Sequence, residues 1–354
     1  MCFTSQENLL LGIHNSGLNV CLINKDRADL HEGLPWDHIE IKSSNITGFK
    51  SFSLARKMDS WLTSKSDSSE SLAIVDWRLI KHLHKTLDKL KIPWILLDRS
   101  PPASNGLLAK LQWPIWKKAW RLVAKTNRSS GSVVSQLHCD FVQDHVSIQT
   151  EKIFILPAGV DLERFTPTQE NKTMTLIYHG RLDSHRGVLA LPQLISKAKE
   201  KNVQVKLILI GDGDCVKKLE LIAKKETSIE IHSQMSREQL AIHLQRATIG
   251  LLPMPNRDIW RISSPLKMSE YCASGLLICG IDHDGHRFDG ENKDWIKLCS
   301  QQDFHDAVIE WVSSLDDTMI SEFSHKSRTY AEENLDWQFS VTTILTAIHK
   351  LKSS

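Results

Sequence analysis

The sequence predicts an α/β protein of two Rossmann-like, doubly wound domains. Two observations carry this. In residues 150 to 330, short apolar runs at 153–156, 175–178, 205–210, 249–252 and 276–279 alternate with longer amphipathic stretches such as 188–201, 215–225 and 236–246. Runs that are apolar almost throughout are those of parallel strands covered by helices on both faces, and strand–helix alternation is the rhythm of a doubly wound sheet. The second observation is length, since 354 residues accommodate two ordinary domains, each with its own core.

The first half is less regular. Gly17 reads as the residue that stops a helix beginning near Gln6. Apolar runs at Val20–Ile23, Leu72–Val75, Trp94–Leu97 and Val133–Val134 are the candidate strands of a domain similar to the second. A strand and Gly-rich loop would be expected before the first helix and are missing. Either the domain opens on a helix or Met1 is not the start of the full-length chain. Ser43 to Ser71, serine-rich over 64–71, predicts irregular surface. The boundaries expected are 1–168, 169–330, and a terminal amphipathic helix over 331–354. In the second half, Ser236 and Gln239 stand at the spacing of a capping box.

Composition bounds the class. Hydrophobic content of 41% with 24% charged residues is that of a soluble globular protein, and a net charge of +2 gives no general polyanion-binding signal. Seven cysteines lie scattered with no CxxC, which predicts buried reduced thiols in a cytosolic protein. No run approaches the roughly 18 apolar residues of a membrane span, and no signal peptide opens the chain. The expected location is cytoplasmic, with contact to the inner face of a membrane as a further option. Sixteen histidines show no HExxH, and the Asp-x-Asp pairs at 212–214 and 282–284 follow apolar runs as turns do, so no metal is expected.

The most informative stretch is LIYHGRLDSHRG, Leu176 to Gly187. A buried strand exits at Gly180, and Arg181 and Arg186 bracket a polar turn closed by Gly187 before a helix. Free N–H groups and the macrodipole favour an anion there, and guanidinium forks suit phosphate oxygens. Upstream lies IFILPAGVDLERFTP from Ile153. Downstream lie VKLILIGDGD from Val205 and ISSPLKMSEYCASGLLICG from Ile262, in which Pro265 fits a first helical position.

Over about residues 150 to 330 the order and spacing of these four elements resemble the glycosyltransferase family 4 (GT4) group of GT-B glycosyltransferases. The resemblance implies two Rossmann-like domains facing a cleft and transfer of a sugar from a nucleotide-diphosphate sugar to a glycan or lipid-linked acceptor. That nucleotide-sugar is the donor substrate, and no cofactor is implied. It implies that Gly180, Arg181 and Arg186 hold the diphosphate, with electrostatic stabilisation in place of a metal. Glu270 would accept the ribose hydroxyls, with Lys267, Ser263 and Ser264 beside the diphosphate, and the backbone of Gln234 and Met235 after a strand at 229–232 would face the base. The family commonly retains anomeric configuration. This chain departs from it at Ile262, where a second glutamate near the donor sugar usually stands, and at Arg186, where lysine is commoner.

In the first half, ILLDRSPPASNG places Asp98 and Arg99 at a strand tip where resembling enzymes often have histidine. Asp98 could orient an acceptor hydroxyl or act as a base, or could pair with Arg99 to fix the loop. Asp76, Trp77 and Arg78 end another strand in the same way. Leu107 to Arg128 carries six basic and no acidic residues. As a helix, 114–125 divides into a Lys117, Lys118, Arg121, Lys125 sector and a Trp116, Trp120, Val123 sector. That suits an anionic membrane surface or, equally, a helix with its Trp face in the core. No nucleic-acid module is recognisable. A non-catalytic nucleotide-sugar-binding partner of another transferase and a GT-B-fold nucleotide-sugar epimerase are the competing functions.

Overall fold

The structure, a computed structural model, describes residues 3–25, 33–42, 44, 50–64, 70–102, 110–168, 173–263, 266–288 and 290–353. The chain divides into two compact units, 1–157 with 337–354, and 158–336.

In the first unit α1 (Phe3–Asn15) ends at Gly17, which adopts φ +83° as a helix stop requires. β1 (Cys21–Asn24) pairs in parallel with β2 (Asp37–Glu40). The sequence gives no sign of β2, whose Asp, His, Ile and Glu are at most half-buried. α2 (Lys50–Ser64) corrects the expectation of irregular surface over 43–71, burying Ala55 and Met58 on one side. Residues 43, 45–49 and 65–69 of that stretch lie outside the described residues.

A four-stranded parallel sheet follows in the order β3 (Ala73–Asp76), β4 (Trp94–Leu97), β5 (Ser129–Val133), β6 (Ile153–Ile155). Between its strands come α3 (Trp77–Lys89), α4 (Gln112–Lys125) and α5 (Gln136–His145). Asp76 caps α3 through the Arg78 N–H and also pairs with the Arg78 guanidinium, so its role is local. β4 shows why its run is apolar throughout. Trp94 and Leu96 enter one core with Trp77, Trp116 and Trp120, whereas Ile95 and Leu97 enter another with Leu9 and Ile13 of α1 and Ile344 and Ile348 of the C-terminal helix.

The second unit holds a six-stranded parallel sheet built from β7 (Thr175–His179), β8 (Lys206–Ile210), β9 (Ile229–His232), β10 (Ile249–Leu252), β11 (Leu277–Ile281) and β12 (Ile296–Cys299). Its order is β12-β11-β10-β7-β8-β9. Counted from β7 this is 6-5-4-1-2-3, the Rossmann order, and the winding direction reverses between β7 and β10. The helices are α6 (Gln193–Glu200), α7 (Val216–Ala223), α8 (Arg237–Gln245), α9 (Asp258–Arg261), α10 (Leu266–Ala273), α11 (Phe304–Ser314) and α12 (Asp317–Asn334). The amphipathic stretch 188–201 is helical only from Gln193. Residues Val188–Ala190 form a 3-10 turn, and Pro192, having no N–H, stands at the start of α6. The capping box of Ser236 and Gln239 starts α8 as expected.

The first expected boundary, at 168/169, falls inside the second unit. Val160 pairs with Asp336, Phe165 is fully buried in the second core, and Arg328 donates to the carbonyls of Leu162, Phe165 and Ala273. α13 (Trp337–Lys352) groups with the first unit, where Val341 fills the space left by Gly12, a position in which any Cβ would overlap it.

Candidate functional site

Of the polar side chains singled out in the second half, Arg181, Arg186, Lys267 and Glu270 lie around the C-terminal ends of β7 and β10, where the sheet reverses and crevices of this fold open. Close backbone packing shapes the place. A Cβ on Gly211, at φ +149°, would lie 1.8 Å from the carbonyl oxygen of Gly180, so the exits of β7 and β8 meet through backbone alone. A Cβ on Gly187, at φ +78°, would lie 2.3 Å from the carbonyl oxygen of Pro253. This glycine seats the Ser184–Gly187 turn against the exit of β10.

The two arginines of that turn differ. Arg181 is spent on carboxylates, with Nη2 2.9 Å from Asp183 and Nη1 3.5 Å from Asp212, and these partners raise its pKa. Arg186 packs its guanidinium 4.9 Å over the Trp260 ring, meets no carboxylate within ion-pair distance among the described residues, and leaves a buried Nε without a partner. Lys267, buried on α10, sets its ammonium 4.1 Å over the Tyr178 ring. It too has no carboxylate within ion-pair distance among the described residues. Burial, then the nearby Arg186, pushes its pKa well below the usual lysine value, with Glu270 opposing. Burial raises Tyr178 to about 12, with Arg186 opposing. Gly180 lies beside Lys267, its Cβ position 3.5 Å from Nζ. Two basic side chains with no carboxylate at ion-pair distance among the described residues are therefore close enough to act on one another, an arrangement that favours an anion.

Glu270 is 2% exposed, and neither of its oxygens is unopposed. Nε2 of His179, at the end of β7, lies 3.0 Å from Oε2, and Arg237 holds Oε1. Burial alone would raise this carboxyl, but His179 and Arg237 outweigh it and bring the pKa down to about 2. Burial lowers His179, against the pull of Glu270.

Ser263 donates to the Trp260 carbonyl at 2.6 Å. Ser264 and Pro265 lie outside the described residues. Gln234 lines a cavity of about 240 Å³ with Gly211, Asp212 and His232, while Met235 packs half-buried on the core. Ile262 is buried. A second cavity, about 300 Å³, borders the arginine turn and is lined by Ser184, His185, Gly187, Pro253, Arg257 and Phe304, among others.

The acidic pairs act locally. Asp212 accepts from the Gly213 N–H, Asp214 from Ser184, Asp282 pairs with Arg287 and Asp284 with Arg261. Sequence reasoning missed Tyr178, His179, Arg237 and Trp260. The first two stand inside the stretch already singled out, while Arg237 and Trp260 carry no spacing signal.

Asp98 requires a correction. It is fully buried in the first unit, and Oδ2 accepts the indole N–H groups of Trp116 at 2.6 Å and Trp120 at 2.9 Å, with Nε2 of His138 3.4 Å away. Oδ1 accepts the Ser100 N–H at 3.1 Å. The expected Asp98–Arg99 pair is not formed either, since Arg99 donates to the Leu156 carbonyl. An oxygen already accepting two donors and sealed from water is a structural anchor, not a base poised for an acceptor.

Residues 173–314 match the family model described as Glycosyl transferases group 1. No curated protein matches the chain. Among solved structures, sucrose-phosphate synthase from Thermosynechococcus elongatus is 14% identical, with a TM-score of 0.78 over 98% of this chain and 92% of that one. Anabaena Alr3699/HepE in complex with UDP is 12% identical, with a TM-score of 0.73 over 97% and 94%. WaaG, a glycosyltransferase involved in lipopolysaccharide biosynthesis, is 11% identical, with a TM-score of 0.67 over 96% and 95%. Over residues 173–314 the second unit thus resembles the group 1 glycosyl transferases, and the chain shares the fold of these solved structures.

Proposed function

We propose that the chain transfers a sugar from a nucleotide-diphosphate sugar to a glycan or lipid-linked acceptor, as the GT4 group does. The observation that carries the reading is the pairing of Arg186 with Lys267 at the reversal point of the sheet, both without a carboxylate partner among the described residues. A diphosphate entering there supplies the missing negative charge and restores the ammonium form of Lys267. In the transition state the leaving diphosphate gains charge, and two fixed cations stabilise it without reorganising. Arg181, held by Asp183 and Asp212, acts mainly in shaping the turn. The cavity beside Gln234 offers room for the base. That Alr3699/HepE was solved with UDP and with UDP-glucose supports a nucleotide-sugar donor. Isothermal titration with UDP, GDP and ADP, followed by donor turnover with candidate acceptors, tests the assignment.

Metal independence belongs to the same reading, because the cation pair performs the task a divalent ion would perform. Turnover should survive EDTA unchanged. Activity abolished by chelation and restored by a divalent ion would instead assign the diphosphate to a metal. Retention of configuration is the family's habit, and product anomer analysis by NMR decides whether a chain with Ile262 keeps it.

A lipid-linked acceptor and a cytoplasmic location at the membrane face rest on α4. Its Trp116 and Trp120 lie in the core, so any membrane contact falls to the other sector, where Lys118, Arg121 and Lys125 are exposed and Lys117 is half-buried. No helix among the described residues is long and apolar enough to cross a membrane. Replacing Lys117, Lys118 and Arg121 by Gln should weaken binding to anionic vesicles about 150-fold, at roughly 1 kcal/mol per charge. Co-sedimentation that is equal for neutral and anionic vesicles would leave α4 as an ordinary domain helix.

A further inference from the structure

Glu270 is held from two sides by residues of other elements. His179 reaches Oε2 from the end of β7, and Arg237 reaches Oε1 from the first turn of α8. Arg237 is itself placed with care. The Ser236–Gln239 capping box fixes the start of its helix, and its guanidinium lies 4.7 Å over the ring of the fully buried Phe165. Its buried Nε has no partner among the described residues. Arg237 also follows Gln234 and Met235 directly, so one short segment lines the cavity beside β9 and grips the carboxylate on α10.

An ionised carboxylate offers about four lone-pair sites, and two partners leave sites over for two more donors. Without Arg237, the buried carboxylate would keep only His179 on Oε2 and would lose the partner that fixes Oε1. Charge and aim are what an acceptor of two adjacent hydroxyl groups needs.

We propose that Arg237 is the positioning residue of ribose recognition, fixing Glu270 as an oriented acceptor for the two ribose hydroxyls. This rests on the nucleotide-sugar reading of the site. Recognition of the ribose then depends on the segment that also borders the base cavity, so the two subsites are built as one device.

The test compares UDP with its 2′,3′-dideoxy analogue by isothermal titration, on wild type, Arg237→Gln, Arg237→Lys, Glu270→Gln and the Arg237→Gln/Glu270→Gln double variant. Wild type should prefer UDP by on the order of tenfold, and either Gln variant should bring the preference to within about twofold. Lysine should restore part of it, and the double variant should lose no more than either single one, because the two residues act as a unit. Thermal melts accompany each variant, and should Arg237→Gln fail to fold, Arg237→Lys and Glu270→Gln carry the comparison. A preference retained in Arg237→Gln, additive losses in the double variant, or a wild type indifferent to the ribose hydroxyls would overturn the proposal while leaving a nucleotide site. A wild type that binds none of UDP, GDP and ADP would overturn the nucleotide reading, and this inference with it.

Discussion

Replacing Asp98 by alanine should lower the stability of the protein by about 2–6 kcal/mol, because it leaves two buried indole donors unmet at about 1–3 kcal/mol each. The change strands the indole N–H groups of Trp116 and Trp120, both without solvent-accessible surface, and leaves the Ser100 N–H without its acceptor. Each stranded donor alone costs about 1–3 kcal/mol, and the lost side-chain volume opens a void between α4 and β4. Asp98→Asn should be milder, since the amide oxygen still accepts while the NH2 faces one of the donors. Urea unfolding followed by Trp fluorescence measures both. An Asp98→Ala variant of unchanged stability would show that these donors find other partners.

The second large effect falls on binding. Arg186→Ala should weaken UDP affinity roughly 10- to 150-fold, the equivalent of one charge-assisted contact worth about 1.5–3 kcal/mol, with the fold intact. Arg181→Ala should cost clearly less, because that guanidinium already spends its donors on Asp183 and Asp212. Lys267→Met should resemble Arg186→Ala: it removes a buried basic group that lies against the Tyr178 ring and Met254 with no carboxylate at ion-pair distance among the described residues. Calorimetry on the three variants separates the roles. Equal losses at Arg181 and Arg186 would mean that the Asp183 pair opens on binding.

Much of this was legible in the chain. Strands covered on both faces are apolar at nearly every position, so 153–156, 175–178, 205–210, 249–252 and 276–279 announced themselves, and the capping box of Ser236 fixed the start of α8. The turn between Gly180 and Gly187 was visible because glycine is needed where backbone meets backbone, and both Gly211 and Gly187 meet that condition. β2 and α2 were hidden for the opposite reason. Each is polar and half-exposed, so neither carries a strong period, and the serines flanking α2 resemble a loop.

Tertiary structure alone decided which charges are spoken for. Arg181 and Arg186 are equivalent in sequence, yet Asp183 and Asp212 neutralise the first while Trp260 only shields the second. Asp98 looks like a strand-tip base until two indoles from α4 and an imidazole from α5 converge on it. Glu270 gains Arg237 from 33 residues away. A residue's type and local spacing determine what it can bind. Whether it is still free to do so depends on partners that only folding brings within a few ångströms, because charge pairing and desolvation act over that range.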